Sequence, residues 1–213
     1  MLDVTLRVII LCWEFPPRTI GKLAEYVKTL ASRLVENKVE TCVVTFHDHL
    51  TGKSEEPEGV KVWRVANPVR THSGVLTWVL TLNQEVERAV ADLYYGANGH
   101  IDVLDAHDWH FIPAAVTLKR ALDLPFIFSV ESLEDQRSRG VGSILSKSIE
   151  SIEWLGMYEA EMIVAKSEWM RDEISRIYKV PMVKIRVIPP QSETWIQETL
   201  RTYRSAAESA VTR

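Results

Sequence analysis

Three polar stretches follow apolar, strand-like runs, and each carries residue types able to hold or polarise a ligand. In the first, Cys12-Trp13-Glu14-Phe15-Pro16-Pro17-Arg18-Thr19-Ile20-Gly21-Lys22, Gly21 falls where a helix begins, and the free N–H groups of a helix start can receive an anion. A lone glycine is a weak signal, and the absence of a G-x-G-x-x-G run counts against a nicotinamide dehydrogenase. The second stretch, His107-Asp108-Trp109-His110, closes a buried-strand pattern; Asp108 either faces a ligand or caps the helix that follows. His107 and His110 lack the further ligands a zinc ion needs, so neither a metal nor a cofactor is expected. The third stretch runs from Ser129 to Gly140 with Glu131, Glu134, Arg137 and Arg139, charges that in a loop ordinarily serve solvation.

These stretches need a scaffold that brings them together. Leu6 to Cys12 is nearly continuous in apolar residues, which predicts a central strand buried on both faces. Leu23, Val27, Leu30 and Leu34 then recur at helical spacing, so a helix packs back on that strand. The alternation repeats, with strands at 41–46, 59–65, 101–106, 125–130, 162–165 and 184–188 and helices near 77–95, 111–122, 144–159 and 168–178. The 59–65 strand has the period of two that suits an exposed position near an edge, and "HLTGKSEEPEG" reads as a solvated connection. The expected fold class is α/β, a Rossmann-like, doubly wound, mostly parallel sheet with ligands at the carboxyl ends of its strands.

Composition narrows the function classes. The 213 residues, 46% hydrophobic and 25% charged, can bury a full core. A net charge of -4 without a basic, aromatic-interleaved stretch excludes a nucleic-acid footprint. No apolar run is long enough for a membrane span, and "MLDVTLRVIILCW" lacks the basic region and cleavage site of a leader, which predicts a cytoplasmic protein. Cys12 and Cys42 lie in strand-like runs without metal spacing and read as buried apolar residues, with a disulfide as the minor alternative.

Taken in order, "PPRTIGKLAEYVKTLASRL", "DVLDAHDWHFIPAAVTLKRALDLPFIFSVES", "IESIEWLGMYEAEMIVAKSEWMRDEI" and "VPMVKIRVIP" resemble the N-terminal, acceptor-side half of retaining GT-B glycosyltransferases of the glycogen and starch synthase-like group, family 4 or family 5 in type. The resemblance implies an enzyme of carbohydrate metabolism, a hexosyltransferase that moves a sugar from a nucleotide donor to an acceptor between two domains. It maps the glycine loop near the donor diphosphate onto Gly21 and the cleft histidine onto His107, with Lys22, Asp108, Trp109 and Arg137 as substrate-side neighbours. It implies a sugar or glycan ligand and a nucleotide-sugar domain, supplied here by a separate chain if at all.

The chain departs from the family pattern at three places. Lys22 stands where a second glycine is common, Glu131 where Thr-x-His usually places a histidine, and Glu150 where a histidine is frequent, while Glu153 and Trp154 remain and are expected to pack a helix near the cleft. An isolated carboxylate at Glu131 about 4 Å from a phosphate charge costs on the order of 4 kcal/mol at an effective dielectric of 20, which argues against donor chemistry. Residues 1–190 are expected to form the Rossmann-like domain. Residues 191–213 are expected to form a helix like the terminal crossover helix of GT-B enzymes, docked on that domain through Trp195, Ile196, Leu200, Tyr203 and Ala207 and left behind when an intervening domain was lost. Two readings follow: an acceptor-domain homologue that does not catalyse transfer alone, or a non-catalytic module that binds a glycan, a sugar phosphate or a protein.

Overall fold

The computed structural model describes residues 5–211, so Met1–Val4, part of the stretch read above for a leader, and the last two residues of the 191–213 segment lie outside the described residues. The strands are β1 (Arg7–Cys12), β2 (Glu40–Phe46), β3 (Gly52–Glu55), β4 (Lys61–Val65), β5 (Val103–His107), β6 (Phe126–Val130), β7 (Met162–Ala165) and β8 (Ile185–Val187). They form one sheet in the order β3-β4-β2-β1-β5-β6-β7-β8, parallel throughout except for β3, which runs antiparallel to β4. The α-helices are α1 (Lys22–Glu36), α2 (Val75–Gly96), α3 (Ile112–Leu122), α4 (Glu134–Arg137), α5 (Ile144–Glu159), α6 (Glu168–Tyr178) and α7 (Trp195–Val211).

β1 is central, as its unbroken apolar run dictates, and the strand order reverses direction between β1 and β5. That reversal is the switch point at which open parallel sheets receive ligands. Two expectations near the other edge fail. The charged "HLTGKSEEPEG" is no mere connection, because its middle forms β3, whose four residues are all exposed and carry no apolar alternation to betray a strand. β4 is consequently internal, and its residues Val62 to Val65 are all buried.

Right-handed crossovers decide which face each helix covers. α2, α3, α5 and α6 pack on one face through Leu82, Val86, Ala115, Met157 and Ile174, against Ile9, Leu11, Leu104 and Phe128 of the strands. α1 covers β1 and β2 on the opposite face, which leaves β5, β6 and β7 bare there. α7 fills that space: Ile196, Leu200, Tyr203 and Ala206 join a core with Val103, Ile127 and Val164. Ala206 rather than Ala207 completes the buried stripe, and Thr199 and Thr202 are buried beside it, their hydroxyls donating to carbonyls of the preceding turn.

Local sequence fixes the remaining starts and close contacts. Ser143 and Ser167 cap α5 and α6 by accepting from Ser146 N and Met170 N, at 3.0 and 3.1 Å. Gly156 lets α5 lie against the start of α3, since a Cβ there would come within 2.9 Å of Ile112 side-chain carbons. Cys12 and Cys42 are both free thiols, Cys12 buried with its Sγ donating to Glu14 O at 2.8 Å.

Candidate functional site

The loops after β1, β5 and β6 meet at the carboxyl edge of the sheet. At its centre is His107, the last residue of β5, which is wholly buried. Its Nε2 lies 3.1 Å from Asp105 Oδ2 and its Nδ1 3.2 Å from Glu131 Oε1. Burial alone pushes the imidazole toward neutrality, but Asp105 first and Glu131 second outweigh that effect and lift its pKa to about 9. Both ring nitrogens therefore carry protons and donate to carboxylates.

This cluster is closed by residues from distant parts of the chain. Asp105 Oδ1 accepts from Ser129 Oγ at 2.7 Å, and its Oδ2 accepts from the Tyr203 hydroxyl of α7 at 2.5 Å. Glu131 Oε2 accepts from Lys166 Nζ at 2.5 Å, and that ammonium sits 3.4 Å from the centroid of the Tyr26 ring in α1. Burial favours neutral carboxyls, yet the charge of His107 on Asp105, and His107 together with Lys166 on Glu131, hold both below their usual values. Glu131 is thus not the isolated carboxylate assumed in the electrostatic argument from sequence; its charge is countered on two sides.

Gly21 has a different neighbour from the anion that its position suggests. The Glu14 carboxylate, 2% exposed, accepts through Oε2 from Ile20 N at 2.6 Å and Gly21 N at 2.8 Å. A Cβ on residue 21 would lie 3.3 Å from Glu14 Oε1, a tight approach that would press the carboxylate back by a few tenths of an ångström. Lys22 opens α1 and is exposed.

Asp108 does not cap the following 3-10 turn at Trp109–Phe111 with its side chain. It adopts a φ of 63°, an uncommon value for a non-glycine residue, and its backbone N–H donates to Ser129 O at 3.0 Å. Its Oδ1 lies 3.6 Å from Arg137 Nη1 without a hydrogen bond, and desolvation lifts its carboxyl to about 7 against the pull of Arg137. Arg137 is gripped from below: Glu134 Oε2 at 3.0 Å, Ser132 Oγ at 2.6 Å and Glu153 Oε1 at 2.6 Å accept from its guanidinium. Glu153 is fully buried and also accepts from Glu134 N and the Tyr178 hydroxyl. It anchors the segment that carries Arg137, whereas Trp154 is half exposed and stacks on Tyr158.

An aromatic wall joins these loops. Trp109 stacks on His110 at 4.4 Å, His110 on Trp13 at 4.7 Å, and the Arg18 guanidinium lies 4.8 Å from both the Trp13 and Phe46 rings. Burial, then Arg137 and Arg18, depress His110 to about 3, so it is a neutral ring in that stack. Of the residues expected from sequence, His107 and Glu131 touch directly, Asp108 and Arg137 form an ion pair, and Gly21 and Lys22 begin the helix whose Tyr26 ring lies edge-on to His107 at 5.9 Å. Sequence reasoning missed Glu14, Asp105, Lys166 and Tyr203 as members. Only Glu14 left a local sign, a carboxylate between a strand and a helix start; the others meet across as many as 98 residues.

Known proteins share the family and the fold. The Glycosyl transferase 4-like domain family matches residues 23–191. An uncharacterized glycosyltransferase of Methanocaldococcus jannaschii is 34% identical over 192 residues, covering 89% of this chain and 47% of its own. A glycogen synthase of Mycobacterium tuberculosis is 27% identical over 197 residues, covering 86% and 47%. Among solved structures, sucrose-phosphate synthase of Thermosynechococcus elongatus shares the fold with a TM-score of 0.69 at 16% identity, over 86% of this chain and 48% of that one. A chain of the same enzyme designated 27_220_406_426 matches with a TM-score of 0.66 at 11% identity over 95% of this chain and 98% of its own. The chain spans about half the length of the curated relatives it matches. Among the described residues no helix is long and apolar enough to cross a membrane. With its family match running from the head of α1 to beyond β8, the chain belongs to the glycosyl transferase 4-like domain family.

Proposed function

We propose that this domain is the acceptor side of a retaining, glycogen or starch synthase-like glycosyltransferase, and that it does not transfer sugar by itself. The observation that carries the reading is the family match over a sheet whose switch-point loops after β1 and β5 form one continuous wall. Transfer from a nucleotide sugar depends on groups that stabilise the departing diphosphate, and removing one such group typically costs roughly 10²- to 10³-fold. In this half the amides of Ile20 and Gly21 already serve Glu14, and both nitrogens of His107 face carboxylates. The remaining half of the relatives' length, on the same polypeptide or on a separate one, supplies the donor contacts.

Within this reading α7 is the family's crossover helix, spliced after the "RVIPPQ" strand end. Support comes from the way α7 covers β5, β6 and β7 through Ile196, Leu200, Tyr203 and Ala206. Incubating the 213-residue chain with UDP- or ADP-glucose and a maltooligosaccharide tests the proposal. No transfer is expected, and turnover above about one per second, ordinary for an enzyme, overturns it.

The internal pairing of Glu14 with the glycine loop specifically favours a second reading, a module that binds sugar and has given up the donor. The two separate on titration with a nucleotide sugar in the presence of the relatives' C-terminal half. Restored transfer supports the acceptor-domain reading, and silence supports the binding module.

A further inference from the structure

The aromatic wall continues past Phe46, which meets Trp78 edge-to-face at 4.9 Å, into a second hollow at the same carboxyl edge. About 700 Å³ in volume, it lies between Asp48 and His49 after β2, Asn67 to Arg70 and His72 after β4, and Trp78 of α2. That size suits one or two sugar rings and falls in the roughly 300–1,000 Å³ range of small-molecule sites.

The hollow is built rather than incidental. Asn67 Nδ2 donates to Trp78 O at 2.7 Å, and Asn67 Oδ1 accepts from Val69 N and from Thr81 Oγ1, each at 3.0 Å. His72 Nε2 lies 3.1 Å from Thr81 Oγ1, so both ends of the loop that follows β4 are tied to α2. These bonds engage both ends of the Asn67 amide and leave it little capacity to read the hydroxyls of a neutral sugar.

What remains unspent is cationic. Asp48, the acid in the lining, is met by Arg18 Nε at 3.5 Å. Arg70 is exposed at the rim and makes no hydrogen bond or ion pair among the described residues. His49 and His72 place imidazole rings on either side. In a chain of net charge -4, this hollow sets one unpaired guanidinium, Arg70, and the Arg18–Asp48 pair beside an aromatic floor. Guanidinium geometry matches the two oxygens of a phosphate or carboxylate, and Trp and Phe faces suit the C–H surface of a sugar ring.

We propose that this hollow binds a monosaccharide unit bearing an anionic substituent, with Arg70 on the anion and Trp78 beside the ring. It deepens the reading above, on which it rests, by giving the acceptor a charge class. A long neutral glucan finds few free hydroxyl partners here.

The test follows the imidazole resonances of His49 and His72 by NMR while the intact chain is titrated with glucose 6-phosphate, glucuronate, inorganic phosphate and glucose. A saturable shift with glucose 6-phosphate or glucuronate, and none with glucose at equal concentration, is expected. The anion saturating at the lower concentration identifies phosphate or carboxylate as the native group. Arg70→Gln is expected to weaken that binding at least tenfold while the backbone spectrum stays folded. The absence of saturation by both anionic sugars, equal binding by R70Q, or inorganic phosphate binding as tightly as the sugar phosphate overturns the proposal. A maltooligosaccharide that perturbs these two histidines instead overturns the anionic class and leaves the acceptor reading standing. Sugar-induced shifts confined to the amino-terminal edge of the sheet overturn both.

Discussion

The His107 cluster and the Arg70 hollow occupy the same edge of the sheet and share a taste for charge, yet they are opposites in how their polar groups are spent. Around His107, Asp105, Glu131, Lys166, Ser129 and Tyr203 satisfy one another in a buried chain of hydrogen bonds. Around the hollow, the amide and hydroxyl groups hold the loop while Arg70 is left without a partner among the described residues. A saturated network of buried charge fixes geometry and loses much when any member is cut. An unsaturated rim loses little stability when altered and can lose all its affinity. Residue type alone does not separate the two, since each holds histidines beside acids and bases.

The largest effect should come from the saturated side. Asp105→Asn removes the charge that holds the His107 proton and should cost about 3–5 kcal/mol of stability, as breaking a buried pair does. The His107 pKa should fall from about 9 by more than a unit. Denaturant melts and a side-chain NMR titration measure both, and a His107 pKa unmoved by the change would break the description of the cluster.

Next is the α7 anchor: Tyr203→Ala empties a fully buried site and should cost about 3–5 kcal/mol, whereas Tyr203→Phe, losing one bond to Asp105, should cost about 1 to 2 kcal/mol. Cutting the chain after Gln191 should lower the thermal midpoint sharply or leave it insoluble; unchanged melting would show that α7 is not needed to cover β5 to β7.

Glu14→Gln should cost about 1–3 kcal/mol, because the Ile20 and Gly21 amides, which share one carboxylate oxygen, then face a weaker, neutral acceptor at a buried site. The pH profile sharpens the comparison further. His107 binds its proton more tightly when folded, at about 9 against roughly 6.5 in an open chain. Its contribution is therefore complete below about pH 6.5 and fades as pH rises through 9. Asp105 and Glu131, held low, contribute above the ordinary carboxylate range and lose that contribution on acidification. The smallest effect on stability belongs to the hollow: Arg70→Gln should shift unfolding by less than about 0.5 kcal/mol, as exposed substitutions do, even as anionic-sugar binding drops at least tenfold.

Much of the molecule was legible because its patterns are local. Helical spacing at Leu23, Val27, Leu30 and Leu34 and the apolar run of β1 each act over a few turns or a strand. The family resemblance also rested on short runs read in order, and the match over residues 23–191 bears it out. β3 escaped because four exposed polar residues pair through backbone alone, and its presence leaves β4 near the edge, as expected, but buried rather than exposed.

The sequence by itself determined the α/β class, the central strand and the polar loops that follow the strands, because strand and helix periodicities are written in adjacent residues. Tertiary structure alone decided what the charges in those loops mean. Glu131 reads from sequence as a lone carboxylate, and folding sets it between His107 and Lys166, a residue 35 positions away. Gly21 reads as an open anion seat, and folding fills it with Glu14. The physical reason is that a charge is defined by its neighbours and its distance from water, and both are set by crossovers that bring remote strand ends to one edge.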